Sequence, residues 1–410
     1  MDISQVKPVD VRAIAPYTGG VAGKNVVERV GQDESIQAGS TRGKGQDGVN
    51  ISPLAQQMYP ASPAPYNVVQ DANGNTVEHY KNPNTGEEYR MTSDQYGNKI
   101  LDFGDGDNDL RISERNDESG RWVETRDGNG NLLYQGLMSL EGSLTVNGNG
   151  GNDQIVMNGS GGDRVVVNGG DGDDRLFVNA GFLNNVTVNG DSGNDTIVAN
   201  GGQMNMIRLH GGVGDDNIWS VGGTDSLVGM RGGEGNDSVT SMGGWRNKIG
   251  MSGDGGNDKM DAWGGWSNTI GLSGGKGDDQ VRTWGSWGNN RYDLNGELHF
   301  EGGRDTIDAW GGYRDTFNIL GGPGDDRLRV YGGWENSISV DGRHGNDDIA
   351  IQGGGGSDRI RAEGGPGRDK IQVDGGAGQD EALVNQTRTP WDNWWDQVSV
   401  WNVEYGNWPG

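Results

Sequence analysis

Aspartate residues recur at a fixed spacing through the middle of the chain. Asp153, Asp174, Asp195 and the aspartates that follow as far as Asp279 lie 21 residues apart, and after one longer step of 26 residues to Asp305 the 21-residue step returns. A fixed period of this size is typical of repeat proteins whose equal coils stack on one another. Stacking therefore places each carboxylate above the next, about 4.8 Å apart if every coil contributes a strand.

A column of carboxylates at that separation is unfavourable by itself, because neighbouring charges repel by roughly 3 kcal/mol at an effective dielectric constant of about 20. A hard divalent cation, held by carboxylates and main-chain carbonyl oxygens, would remove this repulsion, and folding would then depend on the ion. The alternative is that the aspartates only cap turns, as Asx-turns do without metal. The predicted ligands are Asp153, Asp174, Asp195, Asp216, Asp237, Asp258, Asp279, Asp305, Asp326, Asp347, Asp358, Asp369 and Asp380.

Most of these aspartates close a glycine-rich phrase. GGDGDDRLF begins at residue 169, GGVGDDNIW at 211 and GGPGDDRLR at 321, and all follow the pattern G-G-x-G-x-D-x-U-x, in which U is apolar. The pattern resembles that of the RTX (repeats in toxin) family of calcium-binding β-rolls. The resemblance implies Ca²⁺ as the cofactor and a bacterial protein that folds on calcium outside the cell.

The repeat departs from this family in the other half of each coil. An RTX coil carries the phrase on both sides, whereas here only the last phrases, at Asp358, Asp369 and Asp380, follow one another in consecutive half-coils. Calcium is therefore expected on one edge through most of the chain and on both edges near its end. The corresponding positions of the other half-coil are Asp163, Asn184, Asn205, Ser226, Asn247, Asn268, Asn289, Asp315 and Asn336, which predicts an amide ladder.

Alternating apolar residues follow each ladder position, as in Ile155 and Met157 or Ile249 and Met251. A period of two predicts strands that turn these residues inward, and the glycine pairs allow the sharp turns between strands. The sequence thus predicts an all-β protein whose main part, residues 148–385, is a parallel β-solenoid of about eleven 21-residue coils.

Three further segments flank the predicted solenoid. Residues 1–65 lack apolar periodicity, which indicates a flexible leader that could include an export segment. Residues 66–147 contain strand-like runs joined by D-x-x-G-N turns and are expected to form β-hairpins that cap the first coil. Residues 386–410 are rich in tryptophan and are expected to cap the last coil, since a solenoid needs its open end covered.

Aromatic residues form two files beside the glycine pairs of the amide half-coil. They could present flat faces to sugar rings or to an apolar partner. Alternatively, they form a structural stack that closes this edge in place of calcium. The first file is Trp245, Trp266, Trp287, Tyr313 and Trp334, and the second is Trp263, Trp284, Trp310 and Tyr331.

Composition limits the classes of partner and of compartment. The net charge of −26 argues against nucleic acid and anionic membranes and favours cations. No run of residues reaches the length of a transmembrane helix, and the first residues do not form a cleavable signal peptide. The absence of cysteine fits export, so the expected location is extracellular, reached by a type III or type I apparatus.

Catalytic motifs are lacking, and the four histidines, His79, His210, His299 and His344, have no metal-binding spacing. An enzyme is therefore less favoured than a binding or structural module for a polysaccharide or for a host or cell surface. Two alternatives stay open, which are a type III secreted effector or harpin-like protein and a polysaccharide lyase built on a β-solenoid.

Overall fold

The computed structural model describes residues 63–117, 120–139, 142–162, 164–285, 290–294, 302–385 and 397–407. All regular secondary structure in these ranges is β-strand. The predicted leader falls almost wholly outside them, as do most of the tryptophan-rich tail and the predicted positions Asp163, Trp287 and Asn289. The described residues contain no helix with the length and hydropathy needed to cross a membrane.

The first seven strands form antiparallel hairpins, as the D-x-x-G-N turns predict. In each turn the aspartate, Asp71, Asp94 or Asp127, accepts main-chain N–H groups from the residues two and four positions later, which fixes the hairpin. The strands are β1 (Asn67–Gln70), β2 (Thr76–Lys81), β3 (Glu88–Ser93), β4 (Lys99–Asp102), β5 (Asp109–Asp117), β6 (Gly120–Asp127) and β7 (Leu132–Met138).

The chain then alternates between two parallel sheets, one strand in each sheet per coil. The first sheet contains β8 (Ser143–Gly150), β10 (Arg164–Asp171), β12 (Asn185–Ser192), β14 (Met206–Val213), β16 (Leu227–Glu234), β18 (Lys248–Gly255), β20 (Thr269–Lys276), β22 (Arg291–Leu294), β24 (Thr316–Pro323), β26 (Ser337–His344), β28 (Arg359–Glu363), β30 (Glu381–Asn385) and β32 (Tyr405–Asn407).

The second sheet contains β9 (Gln154–Asn158), β11 (Arg175–Asn179), β13 (Thr196–Asn200), β15 (Asn217–Val221), β17 (Ser238–Met242), β19 (Lys259–Trp263), β21 (Gln280–Trp284), β23 (Thr306–Trp310), β25 (Arg327–Tyr331), β27 (Asp348–Gln352), β29 (Lys370–Asp374) and β31 (Gln397–Trp401). The predicted parallel β-solenoid of about eleven coils is therefore confirmed. Its step is 21 residues through most of its length, 26 between β21 and β23, 22 from β26 to β30, and 27 between β29 and β31.

Each strand pairs with the equivalent strand of the next coil in exact repeat register, so that Leu176 lies between Ile155 and Ile197. The hairpin segment joins this stack, since β4 pairs in parallel with β8, and β5 with β9. The inward side chains of the two sheets, including the predicted Ile155, Met157, Ile249 and Met251, are buried and form one narrow core. A core this thin leaves much of the stability to the turns at its two edges.

Candidate metal-binding edge and aromatic columns

The turns that lead from the first sheet into the second form one edge of the solenoid, which we call the acidic edge. One aspartate per coil lies here, and its side chain is only 1–2% exposed. The Oδ1 atom of Asp216 accepts the main-chain N–H of Asp195 at 2.8 Å, and the N–H of Asp216 is donated to Oδ1 of Asp237 at the same distance. This acidic ladder consists of Asp153, Asp174, Asp195, Asp216, Asp237, Asp258, Asp279, Asp305, Asp326, Asp347 and Asp369.

The second carboxylate oxygen of the ladder is the unusual feature of this edge. In every coil from Asp153 to Asp347, Oδ2 is buried and has no hydrogen-bond partner among the described residues. A methyl group on Gly211 would overlap Oδ2 of Asp216 and would lie 2.6 Å from the carbonyl oxygen of Gly232 in the next coil. An anionic oxygen and a carbonyl oxygen thus border the same small space, and no donor lies between them. A buried acceptor pair of this kind needs a proton or a cation.

On the opposite edge, most ladder residues are asparagines, whose side-chain nitrogen can donate a hydrogen bond where the aspartate Oδ2 atom cannot. Asn247 donates its main-chain N–H to Oδ1 of Asn268 at 2.8 Å, and its Nδ2 donates to the carbonyl oxygen of Gly223 at 3.2 Å. Asn205 and Asn268 make the same bond to a glycine carbonyl. In Asn205, Asn247 and Asn268 the amide nitrogen is a donor that a carboxylate lacks. Elsewhere on this edge Nδ2 of Asn290 and Asn336 and Oδ2 of Asp380 have no hydrogen-bond partner among the described residues.

One position of the predicted amide ladder is wrong by one residue. Asn290, and not Asn289, accepts the N–H of Asn268, and it follows Asn268 by 22 residues instead of 21. The ladder then continues through Asp315 and Asn336. At Asp315 the spare oxygen, Oδ2, accepts the N–H of Gly312, so a carboxylate on this edge is satisfied by the protein itself.

Burial raises the pKa of the acidic ladder above the ordinary value of an aspartate. It raises the pKa to about 7 for Asp216 and Asp258 and to about 8 for Asp305, and the N–H group donated by the preceding coil offsets only part of this shift. Neighbouring carboxylates add to the rise. Asp216, Asp258 and Asp305 would therefore keep part of their protons near neutral pH, and their full ionisation requires a compensating positive charge.

The last three predicted ligands divide between the two edges. Asp369 continues the acidic ladder, whereas Asp358 and Asp380 continue the amide ladder. Both oxygens of Asp358 accept main-chain N–H groups, from Asn336 and Gly354, so Asp358 fits a metal least well of the predicted ligands. Within the described ranges no three acidic or histidine side chains converge on one point. An ion at this edge must therefore draw on main-chain carbonyl oxygens as well as on the ladder.

A second polar ladder runs beside the first, and the sequence prediction did not include it. The residue before each ladder aspartate is exposed and donates its N–H to the equivalent residue of the preceding coil, as Asp215 does to Asn194 and Asn236 does to Asp215. The direction is opposite to that of the buried ladder. The recurring pairs Asn-Asp and Asp-Asp in the glycine-rich phrases are the signal that could have revealed it.

A methyl scan tests whether the space beside Oδ2 must stay open. Gly211→Ala should lower the free energy of unfolding by about 1–3 kcal/mol, the usual cost of overpacking a closed site. Gly250→Ala is the matched control, because a methyl group there meets no atom within 4 Å and should leave stability unchanged or improve it. Urea denaturation of both variants would measure the difference, and equal stability would show that the turn can relax around the added group.

The second aromatic file forms a face-to-face stack. The ring centroids of Trp263 and Trp284 lie 4.6 Å apart with planes inclined by 7°, and Trp310 and Tyr331 continue the stack at 5.4 and 5.7 Å. Each ring is half-buried and covers the face of the next. The faces inside this stacked aromatic column are therefore occupied by one another, so it is suited to holding coils together and not to binding sugar rings.

The first aromatic file is more open. Trp245, Trp266 and Trp334 are 50–56% exposed, and Tyr313 is 36% exposed. The rings of Trp245 and Trp266 are tilted by 37° at a centroid distance of 6.0 Å, so they do not cover each other as the inner rings do. The described members of this outer aromatic column thus present apolar surface to the solvent.

Substitutions in the two columns should separate packing from surface roles. Trp284→Ala removes a ring stacked on both faces and should lower the free energy of unfolding by about 2 kcal/mol or more. Trp266→Ala should change it by less than about 1 kcal/mol, because the ring is half-exposed. Thermal unfolding followed by circular dichroism would compare them. Equal losses would mean that the outer column also supports the fold.

The acidic edge, with its buried unpaired carboxylate oxygens, and the exposed outer aromatic column are thus the two candidate functional features of this solenoid. Comparison with known proteins assigns the chain to no family, because no protein-family model, no curated protein and no solved structure matches it.

Proposed function

We propose that the chain is an exported, RTX-like β-solenoid that folds on calcium outside the cell and serves there as a binding or structural module. The observation that carries this proposal is the unpaired Oδ2 atom that recurs in coil after coil beside a glycine carbonyl oxygen. One buried carboxylate oxygen without a hydrogen-bond partner would not by itself indicate a ligand. The same arrangement from Asp153 to Asp347 indicates a ligand that is itself repeated.

Calcium suits this donor set better than the other common cations. It accepts carboxylate and main-chain carbonyl oxygens in flexible geometry, whereas Mg²⁺ requires near-ideal octahedral geometry and sheds its water reluctantly. Zn²⁺ prefers nitrogen and sulfur ligands, and the chain has no cysteine. When bound, calcium would supply the positive charge that lets the ladder ionise, and Asp174, Asp216 and Asp258 would hold it together with glycine carbonyl oxygens.

The pKa values of the ladder connect calcium with location. Near neutral pH the buried carboxylates are only partly ionised without a cation, so the metal-free solenoid is weakened. Extracellular calcium modules typically bind in the range of about 10⁻⁴ to 10⁻³ M, far above the calcium concentration inside a cell. A chain that stays loosely folded before export and becomes rigid afterwards is consistent with this chemistry.

Calorimetric titration of the full chain with Ca²⁺ tests the metal proposal directly. We expect saturable binding of several ions, with protons released as the ladder ionises, so the measured heat should depend on the ionisation enthalpy of the buffer. Mg²⁺ at the same concentration should bind much more weakly. Equal binding of the two ions, or no calcium binding at all, would contradict the proposal.

The outer aromatic column is the surface that we propose for contact with a polysaccharide or with a protein on a host or cell surface. Its support is the exposure of Trp245, Trp266 and Trp334 along one edge of a rigid rod. Loss of binding in Trp266→Ala and Trp334→Ala, with an unchanged calcium-dependent folding transition, would support this role. Unchanged binding by both variants would argue against it.

A further inference from the structure

The outer surface of the first sheet contains a depression of about 320 Å³ whose floor consists of glycine. Gly229, Gly250 and Gly271 occupy the third position of β16, β18 and β20, where a strand presents its side chain outward. Hydrogen atoms in place of side chains leave a trough that follows the long axis of the solenoid over about 14 Å, three strand spacings. At Gly229 and Gly250 an added Cβ would meet no atom within 4 Å, which confirms that the floor is open.

The lining of this glycine trough is basic. Arg208 stands at one end, in the column of the three glycines, and His210 and Arg231 lie in the adjoining column, followed by Ser252 and Ser273. Both arginines are exposed. Arg208 is held by Oδ1 of Asn185 at 3.2 Å and by Sδ of Met206 and makes no ion pair among the described residues, so its positive charge remains available.

The outward-facing positions of the strands around the trough are richer in basic than in acidic residues, unlike the chain as a whole. The chain has 59 acidic and 33 basic residues, yet the first, third and fifth positions of β10 through β20 contain no carboxylate. The same positions contain Arg164, Arg208, Arg231 and Lys248. Within these strands carboxylates appear only beyond the fifth position, where Asp254 accepts the hydroxyl of Ser252, and the next strand, β22, has Asp293 in register with Gly271. Basic residues therefore outnumber acidic ones at these outward positions of a strongly acidic chain.

From this arrangement we propose that the glycine trough binds a linear, carboxylate-bearing polysaccharide. The guanidinium groups of Arg208 and Arg231 would take the carboxylates by charge-assisted hydrogen bonds. The bare peptide planes of the glycine floor would let a sugar ring approach closely. This inference deepens the proposed function, because it names a partner class for the module.

Other polyanions fit the trough less well. Nucleic acid needs many phosphate contacts and, when single-stranded, aromatic platforms for its bases, and no Trp, Tyr or Phe side chain lines the trough. An acidic peptide would need main-chain groups with which to pair. Those of Gly229, Gly250 and Gly271 lie inside the parallel ladder and face neighbouring strands. A polysaccharide needs neither aromatic platforms for bases nor free main-chain groups for strand pairing.

His210 contributes little charge of its own. Burial and the neighbouring Arg231 lower its pKa, and Arg208 acts in the same direction, while Asp191 and Asp254 oppose the shift only in part. The imidazole is therefore neutral at neutral pH, and the positive charge of the trough comes from the two arginines. Binding should accordingly weaken with salt and vary little between about pH 7 and pH 9.

Titration with a short oligogalacturonide tests the proposal, and its methyl ester, with the same rings but no charge, is the control ligand. We expect the acid form to bind and the ester to bind at least about tenfold more weakly, the loss typical of removing hydrogen bonds to a charged group. Equal binding of the two forms would overturn the proposal. Stronger binding of an RNA oligonucleotide or of polyglutamate would replace it with another partner class.

Two kinds of variant locate the site. Gly250→Val fills the floor without strain in a position that favours a β-branched residue, so it should keep stability and lose about tenfold or more in affinity. Arg208→Gln should lose about tenfold, whereas Arg175→Gln on the second sheet removes the same charge elsewhere and should bind normally. Full affinity in Gly250→Val would exclude the trough. Each protein is first checked for β-structure in calcium, so failure to fold is separated from failure to bind.

Discussion

In a chelator at about pH 8 the chain should lose most of its β-structure, and either millimolar calcium or acidification to about pH 5 should restore it. Both treatments act on the same atoms. Calcium would neutralise the unpaired Oδ2 atoms of the acidic ladder, and acid protonates them, which converts each into a donor for a nearby carbonyl oxygen. Circular dichroism across a grid of pH and calcium concentration measures this result.

The direction of the pH effect follows from the raised pKa values. Asp216 and Asp305 titrate at about 7 and about 8 in the folded chain, well above the ordinary value near 3.8 that they regain on unfolding. Between these values the folded state binds more protons than the unfolded state, so stability is greatest at the acidic end and falls as pH rises through the folded pKa. Without metal, stability should therefore decline from about pH 4 to about pH 8.

Aspartates in the hairpin turns limit the stability of the metal-free chain at low pH. Hydrogen bonds from main-chain and side-chain donors lower the pKa of Asp71, Asp94 and Asp127, so the stability that these aspartates contribute is lost as pH falls below about 4. The metal-free chain should thus be most stable between about pH 4 and pH 6. A chain that is equally stable in chelator at about pH 5 and pH 8 would show that the buried carboxylates carry no net penalty.

The periodic part of this fold could be predicted from the sequence because the same 21-residue pattern recurs in most of its coils. The 21-residue spacing of the ladder aspartates places Asp174 and Asp195 in stacked turns, and the alternation after each of them identifies Leu176 and Ile197 as core residues. An assignment that is ambiguous in one coil can be checked against the equivalent residues of the next coil. Where the period is interrupted this support disappears, and the 21-residue spacing predicts Asn289 although Asn290 occupies the ladder position.

Properties that depend on side-chain direction could not be predicted in this way. Spacing alone gives both aromatic files one ring per coil, yet Trp284 is stacked within its column and Trp266 is half-exposed. The same limit applies to the acidic ladder. Its position was predictable, but which oxygen of Asp216 is paired and which is not depends on the turn geometry around Gly211.

Replacing three of the eleven ladder aspartates by asparagine should make the solenoid less dependent on calcium. In the triple variant Asp216→Asn, Asp237→Asn and Asp258→Asn, the Oδ1 acceptor of each ladder bond is kept, while Oδ2 becomes an amide donor. Three members of the amide edge already show this arrangement, since Nδ2 of Asn205, Asn247 and Asn268 donates to a glycine carbonyl oxygen. The variant should be more stable than the parent chain in chelator at about pH 8, because three buried carboxylates can no longer ionise.

The same variant should bind fewer calcium ions than the parent, since it lacks the negative charge of three adjacent sites. Asn247→Ala with Asn268→Ala is the matched control on the opposite edge, and it should lower stability through lost hydrogen bonds while leaving the number of bound ions unchanged. Equilibrium dialysis counts the ions, and urea unfolding in chelator ranks the three proteins. If the triple variant were no more stable than the parent in chelator, ionisation of the ladder would not be what destabilises the metal-free chain. If both variants lost calcium equally, the ions would not be confined to the acidic edge.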